Sequence, residues 1–229
     1  MGFGWQPPTE QYSSAEIRPV RVEEKPSFRE RQTAAFFLGQ QRVLLTSLLI
    51  NEDGSEMLEA LRAEIATRRQ IAEHFKTPEG FALQVYGITG ELVSPNAAQA
   101  TDYHPDRVFK EGGVCGQSVA VAEATAHVLY GEVQPEFRGS TRILVCRTRK
   151  TGLLQGRGWH AVLVVKGQRE GQAEPEEYVL DSAQGVKVPL ADWMQGRGYE
   201  HTDLAIDSIV AESEEALMID QPLFPGSEE

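Results

Sequence analysis

Apolar and polar positions divide the chain into an irregular start, two helical stretches and a strand-rich second half. Residues 1–28 carry Pro7, Pro8, Pro19 and Pro26 among polar residues and read as an extended arm without a core. Beyond it Ala34, Phe37, Leu38, Val43, Leu44, Leu45, Leu48 and Leu49 recur at helical spacing up to the turn signal Asn51-Glu52-Asp53-Gly54. A second helix is expected next, with Ser55 as its cap, Leu58, Leu61, Ile65, Ala72 and Phe75 on one face, and Pro78 and Gly80 as its stop. Residues 29–77 therefore read as a helical hairpin. Over residues 81–93 apolar and polar positions alternate around Gly87 and Gly90, which predicts short strands or a hairpin, and residues 95–105 read as loop.

From Glu111 the pattern sharpens. The stretch Gly112-Gly113-Val114-Cys115-Gly116-Gln117 leads into a helix carried by Val119, Ala122, Ala126 and Leu129 and ended by Gly131 and Pro135, so that Cys115 sits at a helix N-terminus. Strand-like runs follow at residues 141–147, 160–166 and 178–181. A glycine-rich loop, 152–158, separates the first two and a polar loop, 167–177, the last two. Trp193 anchors a short segment after Pro189. The expected architecture is α+β, with an arm (1–28), a helical hairpin (29–77), a core (78–211) in which a helix packs on an antiparallel sheet, and an acidic tail (212–229).

Composition narrows the function. With 229 residues, 41% hydrophobic and 24% charged, the chain can bury one sizeable core. A net charge of -12, with basic residues scattered, argues against nucleic acid, which needs a concentrated positive face. The longest apolar runs, such as residues 43–50, fall far short of the roughly 20 residues that cross a bilayer, so no membrane partner is expected. There are two cysteines, and the start lacks the basic leader and apolar run of a signal peptide. Together these suggest a reducing, cytoplasmic setting with free thiols, or export without a cleaved leader. Zinc needs about four ligands, and the chain has neither a C-x-x-C nor an H-x-x-x-H pair, so no metal or other cofactor is expected. The 152–158 loop lacks the lysine-serine ending of a phosphate-binding loop and reads as a flap beside the site.

Candidate chemistry centres on Cys115. A helix dipole lowers a thiol pKa, and the free N–H groups of the first turn can hold an oxyanion. The base should be a histidine held in one tautomer by a third group. Of five histidines, His160 has the best context, following Trp159 and opening the apolar strand Ala161-Val162-Leu163-Val164-Val165. Tyr178-Val179-Leu180-Asp181 ends the next strand on a carboxylate, so paired strands can set His160 beside Asp181. Asp192 and Asp203 are substitutes should Asp181 merely cap a turn. Gly116 and Gln117 are candidates for the oxyanion or substrate, with a plain helix-surface role open for Gln117, and Trp159 is either core or a wall of the acyl site. His104 reads as a loop residue, His127 as a packing or surface residue of the helix, and His74 and His201 carry less weight still. Cys146, inside Ile143-Leu144-Val145, reads as core.

The motifs Gly-Gly-Val-Cys115-Gly-Gln, Gly-Trp-His160-Ala-Val-Leu-Val-Val and Tyr-Val-Leu-Asp181-Ser-Ala resemble the Cys, His, Asp order of the transglutaminase-like and papain-like cysteine hydrolases. Their spacing, the aromatic before the histidine and Trp193 past the aspartate are most similar to bacterial protein-glutaminases. Transglutaminase-like cysteine proteinases and deamidating toxins are related. The resemblance covers roughly residues 110–195. It implies a triad of Cys115, His160 and Asp181 acting on the amide of a protein or peptide. Glutamine deamidation comes first, with proteolysis and transglutamination as alternatives on the same triad. The chain departs from protein-glutaminase, which is secreted and disulfide-bonded, and from the proteinases, whose cysteine is followed by acidic residues where Gly116 and Gln117 stand here. A non-catalytic binding module, engaging a protein through the helical hairpin or the arm, is the alternative from another class.

Overall fold

The computed structural model describes residues 26–50, 55–68, 75–96, 103–150, 157–181, 186–194 and 204–218. The helices are α1 (Phe28–Ile50), α2 (Glu56–Arg68), α3 (Pro78–Leu92), α4 (Pro105–Glu111), α5 (Cys115–Val133) and α6 (Leu190–Met194). The strands are β1 (Phe137–Lys150), β2 (Arg157–Arg169), β3 (Glu176–Asp181), β4 (Val186–Pro189), β5 (Leu204–Glu212) and β6 (Ala216–Met218). The strands pair antiparallel in the order β4-β3-β2-β1-β5, with β6 beside the start of β1. This is an α+β arrangement of helices and one antiparallel sheet.

Period-two alternation sends successive side chains of β1 and β2 to opposite faces. Ile143, Val145, Ala161, Leu163 and Val165 join the core beneath the helices. Leu144, Cys146, Val162 and Val164 form a second core with Val179, Ile206 and the fully buried Trp193 of α6. Both faces are covered, which explains why β2 reads as an unbroken apolar run. The centre of the helical layer is α5. Its alternating Val and Ala residues from Val119 to Ala126 are buried all round, and their small size lets α1, α3 and the sheet approach closely.

Three expectations change. Residues 81–93, read as strands, are helical. Pro78, read as a stop, is the first residue of α3, and Thr77 caps it by accepting from the Gly80 N–H at 3.0 Å. Phe81, Val85, Ile88 and Leu92 then bury one face at helical spacing, which outweighs the roughly 1 kcal/mol that each glycine costs inside a helix. Gly87 has its own reason: a Cβ there would lie 2.9 Å from Arg68 Nη1, the atom that donates to Gln84 Oε1 at 3.1 Å and ties α2 to α3. The end of the 95–105 loop also gives way at Pro105, which opens α4. Finally, the two N-terminal helices exist but do not stand apart as a hairpin, because α1 packs chiefly on α5, and α2 on α3 and α4. Their residues Leu44, Leu48, Met57, Leu61 and Ile65 belong to the same core as α5 and the sheet. Most of the arm, the 151–156 part of the flap and the end of the tail lie outside the described residues, as do Ala72, His74, His201 and Asp203. Gly158 is already in β2.

Candidate active site

The backbone before Cys115 is held from the end of α3. Gly113 N–H donates to the Ser94 carbonyl at 2.9 Å, and Asn96 N–H donates to the Gly113 carbonyl at 2.8 Å. Gly112, which ends α4, has φ +81°, and a Cβ there would collide with the Ser94 carbonyl oxygen. We expect Gly112→Ala to cost roughly 2 kcal/mol from the positive φ alone. Thermal unfolding should show that loss together with slower alkylation of Cys115, whose approach segment it displaces.

At the start of α5 the side chain of Gln117 turns back, its Oε1 accepting from the Val114 N–H at 3.0 Å. Gln117 is buried and acts as a cap, which removes the helix-surface reading. The first-turn N–H groups of Cys115 and Gly116 precede any helix carbonyl that could accept them, and among the described residues no backbone carbonyl outside the helix accepts them, which places them to receive an anion. Cys115 is half-buried, and both described cysteines are free thiols.

His160 lies on β2 opposite Cys146 of β1. Leu163 pairs with Leu180, so one step further along the register Asp181 stands on the neighbouring strand, diagonal to His160. His160 Nε2 donates to Asp181 Oδ2 over 2.7 Å, with His160 5% and Asp181 1% exposed. That bond occupies one ring nitrogen and leaves Nδ1 for Cys115, with which His160 shares a side-chain hydrogen bond. Burial alone would raise the Cys115 pKa. The bond to His160, its positive charge and the Ala161 backbone outweigh that burial, and the thiol lies below its ordinary value. Burial would lower His160, but its bonds to Asp181 and Cys115 and their negative charge raise it to about 10. The shifts run in opposite directions and together favour the thiolate–imidazolium pair over two neutral groups, and the pair titrates as a unit. Cys146 differs: burial pushes its thiol up, and the charges of Asp181, Cys115 and Glu212 push it further in the same direction.

Around this centre stand residues that sequence reasoning missed. A Cβ on Gly116 would lie 2.8 Å from Tyr103 Oη and 3.7 Å from Gln41 Nε2, so a loop tyrosine and a buried α1 glutamine border the helix N-terminus. Burial raises the Tyr103 pKa first and the charge of Cys115 raises it further; Tyr86 of α3 responds in the same way to burial and to Asp181. Trp159 is half-buried and packs against Phe37 of α1 with ring centroids 5.9 Å apart, so it is both an edge of the core and a neighbour of the site. Trp193 lies on the sheet face that carries Cys146 and Val162, opposite α5. His127 lies twelve residues along α5 from Cys115, about 18 Å by helical rise, and is outside this group. His104 is exposed at the N-cap position of α4, and Asp192 lies in α6.

Among the described residues no group of three or more His, Cys, Asp or Glu is placed to hold a metal, and no helix is long and apolar enough to cross a membrane. Comparison of the chain with protein-family models, with curated proteins and with solved structures finds no match in any of the three, so the functional reading rests on the residues themselves.

Proposed function

We propose that this chain is a thiol-dependent amide hydrolase of the transglutaminase-like and papain-like kind, which deamidates glutamine side chains of proteins. One observation carries the reading. A half-buried thiol at a helix N-terminus is bonded to a buried histidine, whose other nitrogen is held by a buried carboxylate at 2.7 Å. That order is what activation of a nucleophile requires.

Cys115 Sγ attacks the carboxamide carbon, forming a C–S bond and an oxyanion that the first-turn N–H groups of α5 receive. His160 gives its proton to the leaving nitrogen, the C–N bond breaks, and ammonia departs from a thioester. His160, now neutral, takes a proton from water as its oxygen attacks the thioester. The C–S bond breaks, a carboxylic acid leaves, and the thiolate–imidazolium pair is restored. Asp181 keeps the ring in one tautomer and stabilises its charge.

The test is intact-mass analysis after brief iodoacetamide exposure at about pH 6, where an ordinary thiol is almost wholly protonated. It is paired with ammonia release from a glutamine-containing protein. The wild type should label once and rapidly and should release ammonia while its substrate chain stays intact. Cys115→Ala should do neither, and His160→Ala should label slowly. Labelling no faster than free cysteine would rule out the triad and favour a binding module, whereas substrate cleavage would make the enzyme a peptidase.

A further inference from the structure

A helix that lies on a protein surface normally turns a polar face to water, and one that is apolar all round is covered on all sides. The inner face of α1 is buried through Ala34, Gln41, Leu44 and Leu48, yet its outer face also carries large apolar side chains: Phe28 is 69%, Phe36 63% and Val43 56% exposed. At 100° per residue these three share one side of the helix, with Gly39 between Phe36 and Val43. A Cβ on Gly39 would meet nothing within 4 Å, so no packing among the described residues demands a glycine there. Glycine in a helix interior lowers stability relative to alanine, and its usual compensation is the close approach of another backbone. The exposed ridge and the unexplained notch are independent observations, and they coincide.

Charge identifies what fits. The exposed Arg29 lies on one flank of this ridge, and Arg31 and Arg42 lie on the other. The single acid of α1, Glu30, is turned away: its Oε1 accepts from Arg147 Nη1 at 2.6 Å and its Oε2 from the Ser27 N–H at 2.8 Å. A basic, apolar strip on a chain of net charge -12 is a local reversal of sign. We infer that the outer face of α1 is a docking surface for an acidic amphipathic helix of another protein, which seats an apolar residue over Gly39 between Phe36 and Val43 and pairs its carboxylates with the flanking arginines. The opposite side of α1 carries Phe37 against Trp159, and Gln41 beside Gly116, so the docked helix lies on the outside of a wall of the candidate site. The inference does not depend on the triad.

The test is selection of helical peptides from a randomised display library on the full chain, followed by fluorescence anisotropy of the enriched peptide with wild type, Phe36→Ser, Gly39→Leu and Arg42→Glu. Enriched sequences should place apolar residues at helical spacing among Asp and Glu. Binding should weaken with salt and fall at least about tenfold in each variant. Gly39→Leu is the discriminating case, because it should unfold at the same or a higher temperature than wild type while losing affinity. No enrichment, enrichment of basic or uncharged sequences, or binding that survives Phe36→Ser and Gly39→Leu would overturn the proposal. Concentration-dependent dimerisation lost in Phe36→Ser would overturn it in favour of a second copy of the chain.

Discussion

Asp181→Asn should lower amide hydrolysis by roughly 10³–10⁴-fold and move the pH midpoint of Cys115 alkylation upward. The physical reason lies in His160, which is almost wholly buried. Burial disfavours its charged form, and the carboxylate 2.7 Å away does most to reverse that. An asparagine keeps the volume and a hydrogen bond but not the charge, so the ring should fall back toward the neutral form. The Cys115 thiolate then loses its cationic partner. Asp181 also acts on the thiol directly, and in the opposite sense, because its charge raises the Cys115 pKa. That contribution is the smaller one, and the net expected movement is toward a less reactive thiol at neutral pH. The checks are the pH dependence of iodoacetamide labelling and an NMR titration of the His160 ring. An unchanged midpoint would remove Asp181 from the relay, and unchanged thermal unfolding would separate loss of charge from loss of structure.

The second large effect concerns stability. Glu123 projects from α5 into the core, 4% exposed, where Thr141 Oγ1 donates to its Oε1 at 3.5 Å. Burial raises its pKa to about 7 from an ordinary 4.5, against the weaker pull of Thr141 and of the Arg42 charge. A folded-state value above the unfolded one means that the native chain binds the extra proton. The associated stability is fully present below about pH 4.5 and is lost as pH rises through 7. The loss amounts to roughly 3 kcal/mol at about 1.4 kcal/mol per unit. Glu123→Gln should therefore unfold at higher denaturant than wild type at pH 8 and differ little at pH 5, as urea titrations at the two pH values would show. His127 gives the opposite limb. Burial holds it below its ordinary 6.5, so its contribution is present above that value and is lost as pH falls. The variant should keep this acid limb. A variant no more stable than wild type at pH 8 would mean that the carboxylate is solvated there.

Local patterning carries much of this molecule. The helices α1, α2 and α5 and the strands β1, β2 and β3 follow from 3.6- and 2-residue periods, because each buries a continuous stripe or face that the spacing itself specifies. Cys115 at a helix start and His160 at the beginning of an apolar strand are equally local, since a glycine-rich approach and the residues that follow define both. The helix α3 shows the limit. Its residues 81–93 also alternate, and glycines at 87 and 90 suit a strand as well as a helix. What decides is a cap at Thr77, a proline at the first helical position and a shared core with α5, and only the last of these is tertiary.

The proximity of residues far apart in the chain belongs to the tertiary structure alone. Gln41 and Tyr103 border Gly116, and Phe37 meets Trp159 at the start of β2, only because α1 packs on α5. No period relates position 41 to 116. The same holds for the merging of the N-terminal helices into the common core. Sequence by itself determined α1, α2, α5 and the strands β1 to β3, the order Cys115, His160, Asp181 and the strand ends that could bring the last two together. The tertiary structure decided that they do meet, and which further side chains surround them. Periodicity encodes which face of an element is buried, whereas the partner buried against it is chosen by packing between elements.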